Sequence, residues 1–139
     1  MRMIGLDWGE VRVGVSVSDP LGITAQPLFS LENNADLITK LKELVKKYDA
    51  NEIVIGYPKQ MNGKLGIAAS KVDEFSDRIK QGIPVKITLW DERLTTKIAQ
   101  TASIISGASR QKRKSFIDAA TAGVILQGYI DSKRSCEKQ

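Results

Sequence analysis

The chain has 139 residues, of which 42% are hydrophobic and 27% charged, as in an ordinary globular domain. Its net charge of +5 favours acidic partners such as nucleic acid. The sequence contains no histidine, which excludes histidine-based acid–base catalysis, serine or cysteine triads that use histidine, and most zinc sites.

The first half of the chain predicts three strands, a helix and a fourth strand. Residues 2–8 and 11–18 are apolar segments joined by a glycine-containing turn, as in a hairpin, and residues 23–31 follow another turn as a third strand. Apolar residues recur at helical spacing over 37–48, which predicts an amphipathic helix. The short apolar run at 52–56 predicts a buried strand.

The second half of the chain adds three helices and one strand. Apolar residues at helical spacing predict helices over 68–79, 94–105 and 117–128, and an apolar run predicts a fifth strand over 85–90. The order βββαβαβαα combines an antiparallel hairpin unit with parallel βαβ crossovers. We therefore predict an α/β fold in which helices flank a mixed sheet.

Domain organisation follows from length and from the polar C-terminus. We interpret residues 1–131 as one domain and residues 132–139 as a polar tail. The tail holds the single cysteine, Cys136, so no disulfide framework is expected and the chain fits a reducing cytoplasm. Neither a membrane-spanning apolar run nor a signal-peptide pattern is present, and no membrane partner is expected.

Acidic residues fall where predicted strands end and where the last predicted helix begins. Asp7 ends the first strand, Asp91 and Glu92 end the fifth, and Asp118 lies in the first turn of the last helix. Because ligands in open α/β sheets collect at the carboxyl ends of strands, we expect these acids to gather at one end. Each acid also has a structural interpretation: Asp7 as a turn residue, Asp91 as a helix cap, and Asp118 in a capping box opened by Ser115.

A cluster of positive charges precedes the last predicted helix. Its members, within five residues, are Arg110, Lys112, Arg113 and Lys114. We predict a flexible loop beside the acids that grips phosphates, because clustered lysine and arginine residues release counterions from nucleic acid. A solvated loop with no ligand is the alternative.

Taken together, these motifs resemble the YqgF family, also called RuvX, whose members are nuclease-like proteins with a ribonuclease H fold. The resemblance covers essentially the whole chain, and the matching segments occur in the family's order. These segments are Gly5-Leu6-Asp7-Trp8-Gly9, Val13-Gly14-Val15-Ser16-Val17-Ser18-Asp19, Pro20-Leu21-Gly22-Ile23-Thr24-Ala25, Ile55-Gly56-Tyr57-Pro58, Asp91-Glu92-Arg93-Leu94-Thr95-Thr96, and Arg113-Lys114 through Ile117-Asp118.

The resemblance implies a sheet of order 3-2-1-4-5 with strand 2 antiparallel, and a catalytic metal site. It implies that Asp7, Glu92 and Asp118 are both catalytic and metal-binding, with Asp91 as the alternative to Glu92 because strand alternation sends these two to opposite sides. The expected cofactor is Mg²⁺ or Mn²⁺, which prefer oxygen ligands. Arg93 joins the basic cluster as an expected contact to nucleic acid.

The function implied by the resemblance is metal-dependent endonucleolytic hydrolysis of phosphodiester bonds in structured nucleic acid. The first expectation is processing of the 5′ end of pre-16S rRNA in ribosome biogenesis. Alternatives are a Holliday junction resolvase acting on branched DNA, or a non-catalytic nucleic-acid-binding or ribosome-assembly module. Expected partners are structured RNA or branched DNA and pre-ribosomal particles, with the chain a monomer or weak homodimer.

The Asp-x-Gly hairpin also resembles that of actin-like ATPases and sugar kinases, which need two such domains and hence a longer chain.

Overall fold

A computed structural model describes residues 2–57, 67–91 and 110–137, which contain five strands and three helices. Each predicted strand is present within two residues of its predicted bounds. The predicted helix over 94–105 lies outside the described residues, as do Glu92 and Arg93. The strands are β1 (Arg2–Asp7), β2 (Arg12–Ser18), β3 (Ala25–Glu32), β4 (Ala50–Tyr57) and β5 (Lys86–Asp91), and the helices are α1 (Leu37–Tyr48), α2 (Ile67–Gly82) and α3 (Arg110–Glu137).

The five strands form one mixed sheet in the order β3-β2-β1-β4-β5, as predicted. Strand β2 is antiparallel to both of its neighbours, whereas β1, β4 and β5 are parallel. The carboxyl ends of these three parallel strands therefore lie along one edge of the sheet. We call this edge, where β1 ends at Asp7 and β5 ends at Asp91, the carboxyl edge.

Successive residues of each strand face opposite sides of the sheet, and each side packs against different helices. On one side, alternate apolar residues of the strands join buried residues of α1 and α2 in the larger core cluster, as Leu6, Leu41 and Phe75 illustrate. On the other side, Met3 and Val54 pack against residues of α3 in a smaller cluster. The sheet is therefore covered on both sides, and α3 lies alone opposite α1 and α2 among the described helices.

Helix α3 begins earlier than the sequence analysis predicted. It starts at Arg110, so the main chain of residues 110–114 is helical and the predicted loop is wrong. Asp118 is the ninth residue of α3 rather than part of its first turn, and Ser115 lies within the helix rather than at its cap. The reason is that Arg, Gln and Lys are strong helix formers, while the apolar periodicity used for the prediction starts only at Ile117.

The far end of α3 reaches Glu137, so residues 132–137 of the polar tail continue the helix. Despite its 28 residues, α3 is not a membrane span: within the described ranges, no helix combines the length and the apolar character needed to cross a bilayer.

Candidate active site

The site begins where Asp7 ends β1. Asp7 pairs with Gly14 of β2, and residues paired in this way place their side chains on the same side of the sheet. On that side the main chain of Asp118 lies directly over Gly14: a Cβ added to Gly14 would overlap the Asp118 carbonyl group and lie 3.0 Å from its Cα. Asp7 and Asp118 are therefore neighbours on one side of the sheet, at the carboxyl edge.

A second close approach lies two residues further into the sheet. Gly5 pairs with Ser16, and a Cβ added to Gly5 would lie 2.7 Å from Cβ of Leu126 and 2.9 Å from the carbonyl oxygen of Ala122. Ser16 Oγ donates a hydrogen bond of 2.8 Å to the same oxygen. Asp118 and Ala122 are one helical turn apart, so two successive turns of α3 contact the sheet nearly through main-chain atoms. These contacts fix how α3 lies on the sheet.

The Asp118 carboxylate is bound by an arginine of β2. Arg12 Nε donates a hydrogen bond of 2.9 Å to Asp118 Oδ2, and the two side chains are 29% and 23% exposed. Arg12 precedes Gly14 by two residues, so strand alternation places it on the α3 side of the sheet. The partner of this acid is therefore a cationic side chain from the neighbouring strand.

The sequence analysis did not identify Arg12 as a site residue. The signal was present, because Arg12 follows the same alternation as Gly14 and Ser16, which both contact α3. What the sequence lacked was the position of Asp118, which depends on where α3 crosses β2.

The remaining predicted acids lie on or beyond β5. The main chain of Asp91 pairs with Tyr57, and β4 separates β5 from β1, which places Asp91 about 10 Å across the sheet from the end of β1. Glu92 and Arg93 follow directly, outside the described residues. In the part of the chain that is described, no three Asp, Glu, Cys or His side chains are close enough to hold a metal ion.

The basic cluster lies on the first two turns of α3. Arg110 precedes Asp118 by eight residues, or about 12 Å of helix. Because α3 runs from the carboxyl edge towards the amino ends of the parallel strands, these turns lie on the side of Asp118 away from the middle of the sheet. The cluster thus lies on the helical turns that precede Asp118, not in a loop.

The turn after Asp7 is held by contacts to other elements. Asn33 Nδ2 donates to the carbonyl oxygen of Gly9 at 2.7 Å, and the Asn33 main-chain N–H donates to that of Val11 at 2.9 Å. Glu10 forms an ion pair with Lys71 of α2, and the hydrogen bond and charge of Lys71 lower the pKa of Glu10. The segment that carries Asp7 and Trp8 is therefore attached to Asn33, the residue after β3, and to α2.

Another carboxylate lies under α3 at the opposite end of the sheet. The Glu52 side chain is 7% exposed and accepts hydrogen bonds of 2.6 Å from the Tyr129 hydroxyl and 2.8 Å from Thr88 Oγ1. Two ammonium groups lie near it, Lys133 at 3.7 Å and Lys86 at 3.9 Å. We call these five residues the Glu52 network.

The network sets the pKa values of its own members. Burial raises the pKa of Glu52, but the donated hydrogen bonds and the nearby lysines outweigh burial, so the pKa lies below its ordinary value. Burial, and then the hydrogen bond to Glu52, raise the pKa of the Tyr129 hydroxyl. At neutral pH the network therefore holds a charged glutamate and a neutral tyrosine.

Comparisons of the whole chain confirm the resemblance found in the sequence. The family model described as "RuvX: Holliday junction resolvase" matches residues 1–132. A protein of Clostridium acetobutylicum is 47% identical over 95% of this chain and 99% of its own length. A protein of Clostridium botulinum is 44% identical over 95% of this chain and 98% of its own length. A protein of Desulfitobacterium hafniense is 44% identical over 94% of this chain and 92% of its own length. All three carry the name "Putative pre-16S rRNA nuclease".

Solved structures share the fold at much lower identity. RuvC of T. thermophilus, solved with a Holliday junction substrate, aligns with a TM-score of 0.54 at 14% identity, over 96% of each chain. The fowlpox virus resolvase, solved with Holliday junction DNA, aligns with a TM-score of 0.58 at 14% identity, over 96% of this chain and 99% of its own. These alignments confirm the ribonuclease H-like fold.

Proposed function

The chain belongs to the RuvX family of Holliday junction resolvases, and from this membership we propose that it is a metal-dependent endonuclease that hydrolyses phosphodiester bonds in structured nucleic acid. The observation that supports this most is the contact of Gly14 with the main chain of Asp118, on the side of the sheet that Asp7 shares. Two neighbouring acids, one at the end of a parallel strand and one on the helix that crosses this edge of the sheet, are what a shared cation needs.

Asp7, Glu92 and Asp118 are the proposed catalytic residues and ligands of Mg²⁺ or Mn²⁺, with Asp91 as the alternative to Glu92. Their carboxylate oxygens are the donors that these hard cations prefer, so the residues fit such an ion. The chemistry that the bound cation supplies is a water of lowered pKa and neutralisation of the leaving oxygen. No histidine is required.

Arg12 has a role of its own in this proposal. It would orient the Asp118 carboxylate through the 2.9 Å hydrogen bond to Oδ2. A cation bound at Asp118 would compete with Arg12 for that oxygen. The guanidinium of Arg12 is also suited to a substrate phosphate, because its planar donors match phosphate oxygens.

The proposed nucleic-acid contacts are Arg93 together with the four residues of the basic cluster on α3, namely Arg110, Lys112, Arg113 and Lys114. Binding through phosphates predicts strong salt dependence and little sequence preference. Replacing Lys112, Arg113 and Lys114 with alanine should therefore weaken binding and flatten its salt dependence. Alanine also favours helix, so circular dichroism should show that α3 is retained. Parental affinity at physiological salt would refute this role.

For the substrate, we propose the 5′ end of pre-16S rRNA, acted on in the cytoplasm, alone or within pre-ribosomal particles, by a monomer or weak homodimer. The names and 44–47% identity of the relatives support this choice. Branched DNA is the second candidate, favoured by the description of the family. A non-catalytic assembly module is the third.

The test compares cleavage of a 5′-extended 16S precursor fragment with cleavage of a four-way DNA junction, in Mg²⁺, in Mn²⁺ and in EDTA. Asp7→Asn and Asp118→Asn should each reduce cleavage by at least about 100-fold while binding survives. Asp77→Asn, an exposed acid on α2, is the matched control and should cleave like the parent. Full activity in EDTA, or in both site variants, would overturn the proposal.

A further inference from the structure

A cavity of about 300 Å³ lies beside the turn that follows Asp7. Trp8 forms one wall and packs against the core shared with α1 and α2, whereas Asp7 shares the α3 side of the sheet with Gly14. The cavity and the candidate active site are therefore on opposite sides of the carboxyl edge. A single peptide link, about 3.8 Å between Cα atoms, separates their nearest residues.

The walls of the cavity combine aromatic surface with charges of both signs. Trp8 is half-buried and Phe75 is buried at the base. Around them, Lys71 and Arg78 are balanced by Glu10 and Glu74. Balanced charge does not favour a phosphate, because the two carboxylates repel it. It favours a neutral planar ring with hydrogen-bond donors and acceptors on its edge.

The size of the cavity and its fixed walls point the same way. A volume of about 300 Å³ is at the small end of ligand pockets, enough for one ring system. The Asn33 hydrogen bond to Gly9 and the ion pair of Lys71 with Glu10 connect the turn to the segment after β3 and to α2. Trp8 is thus positioned before any ligand binds, which lowers the entropy cost of binding.

We propose that this cavity binds one unpaired nucleobase of the substrate strand, stacked on Trp8, next to the bond that is cut. The inference rests on the proposed function, because it takes the nucleic acid held at Asp7 as the source of the base. Base stacking on an aromatic side chain tolerates any sequence, since every base has a π-face. The enzyme should therefore require an unpaired nucleotide beside the cut, whatever its identity.

Tryptophan fluorescence tests this directly. The chain has two tryptophans, so Trp90→Phe leaves Trp8 as the single emitter, and Asp7→Asn in the same protein prevents cleavage during the titration. Single-stranded RNA should quench Trp8 emission. The same oligonucleotide with abasic positions should bind through its phosphates without quenching. Equal quenching by the abasic strand, or none by either strand, would overturn the inference.

Substitution of Trp8 provides the second readout. Trp8→Ala should weaken binding of intact single-stranded RNA about tenfold and leave the affinity for the abasic strand unchanged, whereas Trp8→Phe should restore most of the loss. Thermal melting checks that both variants fold. Parental affinity of Trp8→Ala would refute the base site while leaving the nuclease proposal intact. Cleavage undiminished by Asp7→Asn would refute the nuclease proposal and leave the quenching result to stand.

Discussion

Two carboxylates lie between α3 and the sheet, Asp118 on the helix and Glu52 on β4, one near each end of the contact, and their surroundings differ. Asp118 is 23% exposed and is bound by the guanidinium of Arg12. Glu52 is 7% exposed, and its oxygens receive two hydroxyl donors as well as two lysines. Arg12 is partly in water, so exchanging it for another cation costs little free energy. If the hydroxyl donors of Tyr129 and Thr88 were removed, the buried Glu52 carboxylate would lose its hydrogen bonds, which costs more.

The comparison indicates that Asp118 can exchange its cationic partner, whereas Glu52 contributes to the stability of the fold. At the Asp118 end, the main chain is held by close packing while the carboxylate keeps a replaceable partner. At the Glu52 end, the side chain itself joins β4 to β5 and α3 through Thr88 and Tyr129. Changes at the two ends should therefore have different consequences for folding and for metal binding.

The largest effect on stability is expected from Gly14→Ala. The added Cβ would overlap the carbonyl group of Asp118. This group belongs to the main chain of α3, so it can move away only if the helix moves. We expect a loss of about 3 kcal/mol in the free energy of unfolding, measured by urea denaturation. Gly123→Ala is the matched control, because its Cβ would meet Pro27 at ordinary distances of 3.7–3.8 Å. That variant should gain about 0.5–1 kcal/mol from helix propensity. Equal stability of the two variants would contradict the close contact.

The next effect is expected from Glu52→Gln. The amide has the shape of the carboxylate but removes the charge that receives the Tyr129 and Thr88 donors and faces two lysines. A loss of about 2 kcal/mol in unfolding free energy is expected, with metal affinity unchanged. The exposed Glu43→Gln on α1 should change stability by less than about 0.5 kcal/mol. A Glu52 variant as stable as the Glu43 variant would mean that the network adds nothing.

The same network predicts a direction of pH dependence. The pKa of Glu52 is lower in the folded chain than its ordinary value, about 4.5, so its contribution to stability is complete above that pH. The contribution is lost as the pH falls through the folded-state pKa, because the unfolded state binds the proton more readily. Urea midpoints of the parent and Glu52→Gln should therefore converge as the pH is lowered from the ordinary pKa of the carboxyl group, about 4.5, into the strongly acidic range. A constant difference over that range would be inconsistent with this assignment.

The smallest effect on stability, and a distinct effect on metal binding, is expected from Arg12→Met. The partly exposed ion pair with Asp118 is worth less than about 1 kcal/mol, so the metal-free variant should unfold almost like the parent. Because Arg12 competes for Asp118 Oδ2, its removal should tighten Mn²⁺ binding by up to about fivefold in isothermal titration calorimetry. The Mn²⁺ affinity of Arg12→Lys should lie between those of the parent and Arg12→Met. Weaker Mn²⁺ binding by Arg12→Met would show that Arg12 supports the metal instead.

Most of the sheet could be predicted from the sequence, because apolar alternation and short runs mark buried strands directly. The start of α3 could not, since residues 110–115 contain no apolar residue. Where a helix extends past the sheet, it needs no apolar side, so its sequence there lacks apolar periodicity. Only the helix propensity of its residues then predicts the helix. The same lack of signal produced the wrong predictions for residues 110–114 and for Ser115.

The candidate site divides in the same way. Asp7 was identified from its position at the end of β1. Asp118 was identified although its predicted place in the first turn of the last helix was wrong, and the two acids are neighbours at Gly14. Arg12 was missed because its partner is more than a hundred residues away in the chain and no local pattern connects them. The catalytic and metal-binding roles of Asp7, Glu92 and Asp118 stay predictions, as do the roles of Arg93 and the basic cluster.

The close packing of α3 on Gly5 and Gly14 also affects how the chain tolerates mutation. The separation of Asp7 and Asp118 is set by main-chain atoms, so exchanges among apolar side chains elsewhere in the cores leave it nearly unchanged. A chain built this way accumulates substitutions in its cores and on its surface while the spacing of its two acids persists. The glycines are the positions at which such variation is forbidden, although neither has a side chain that contacts a substrate.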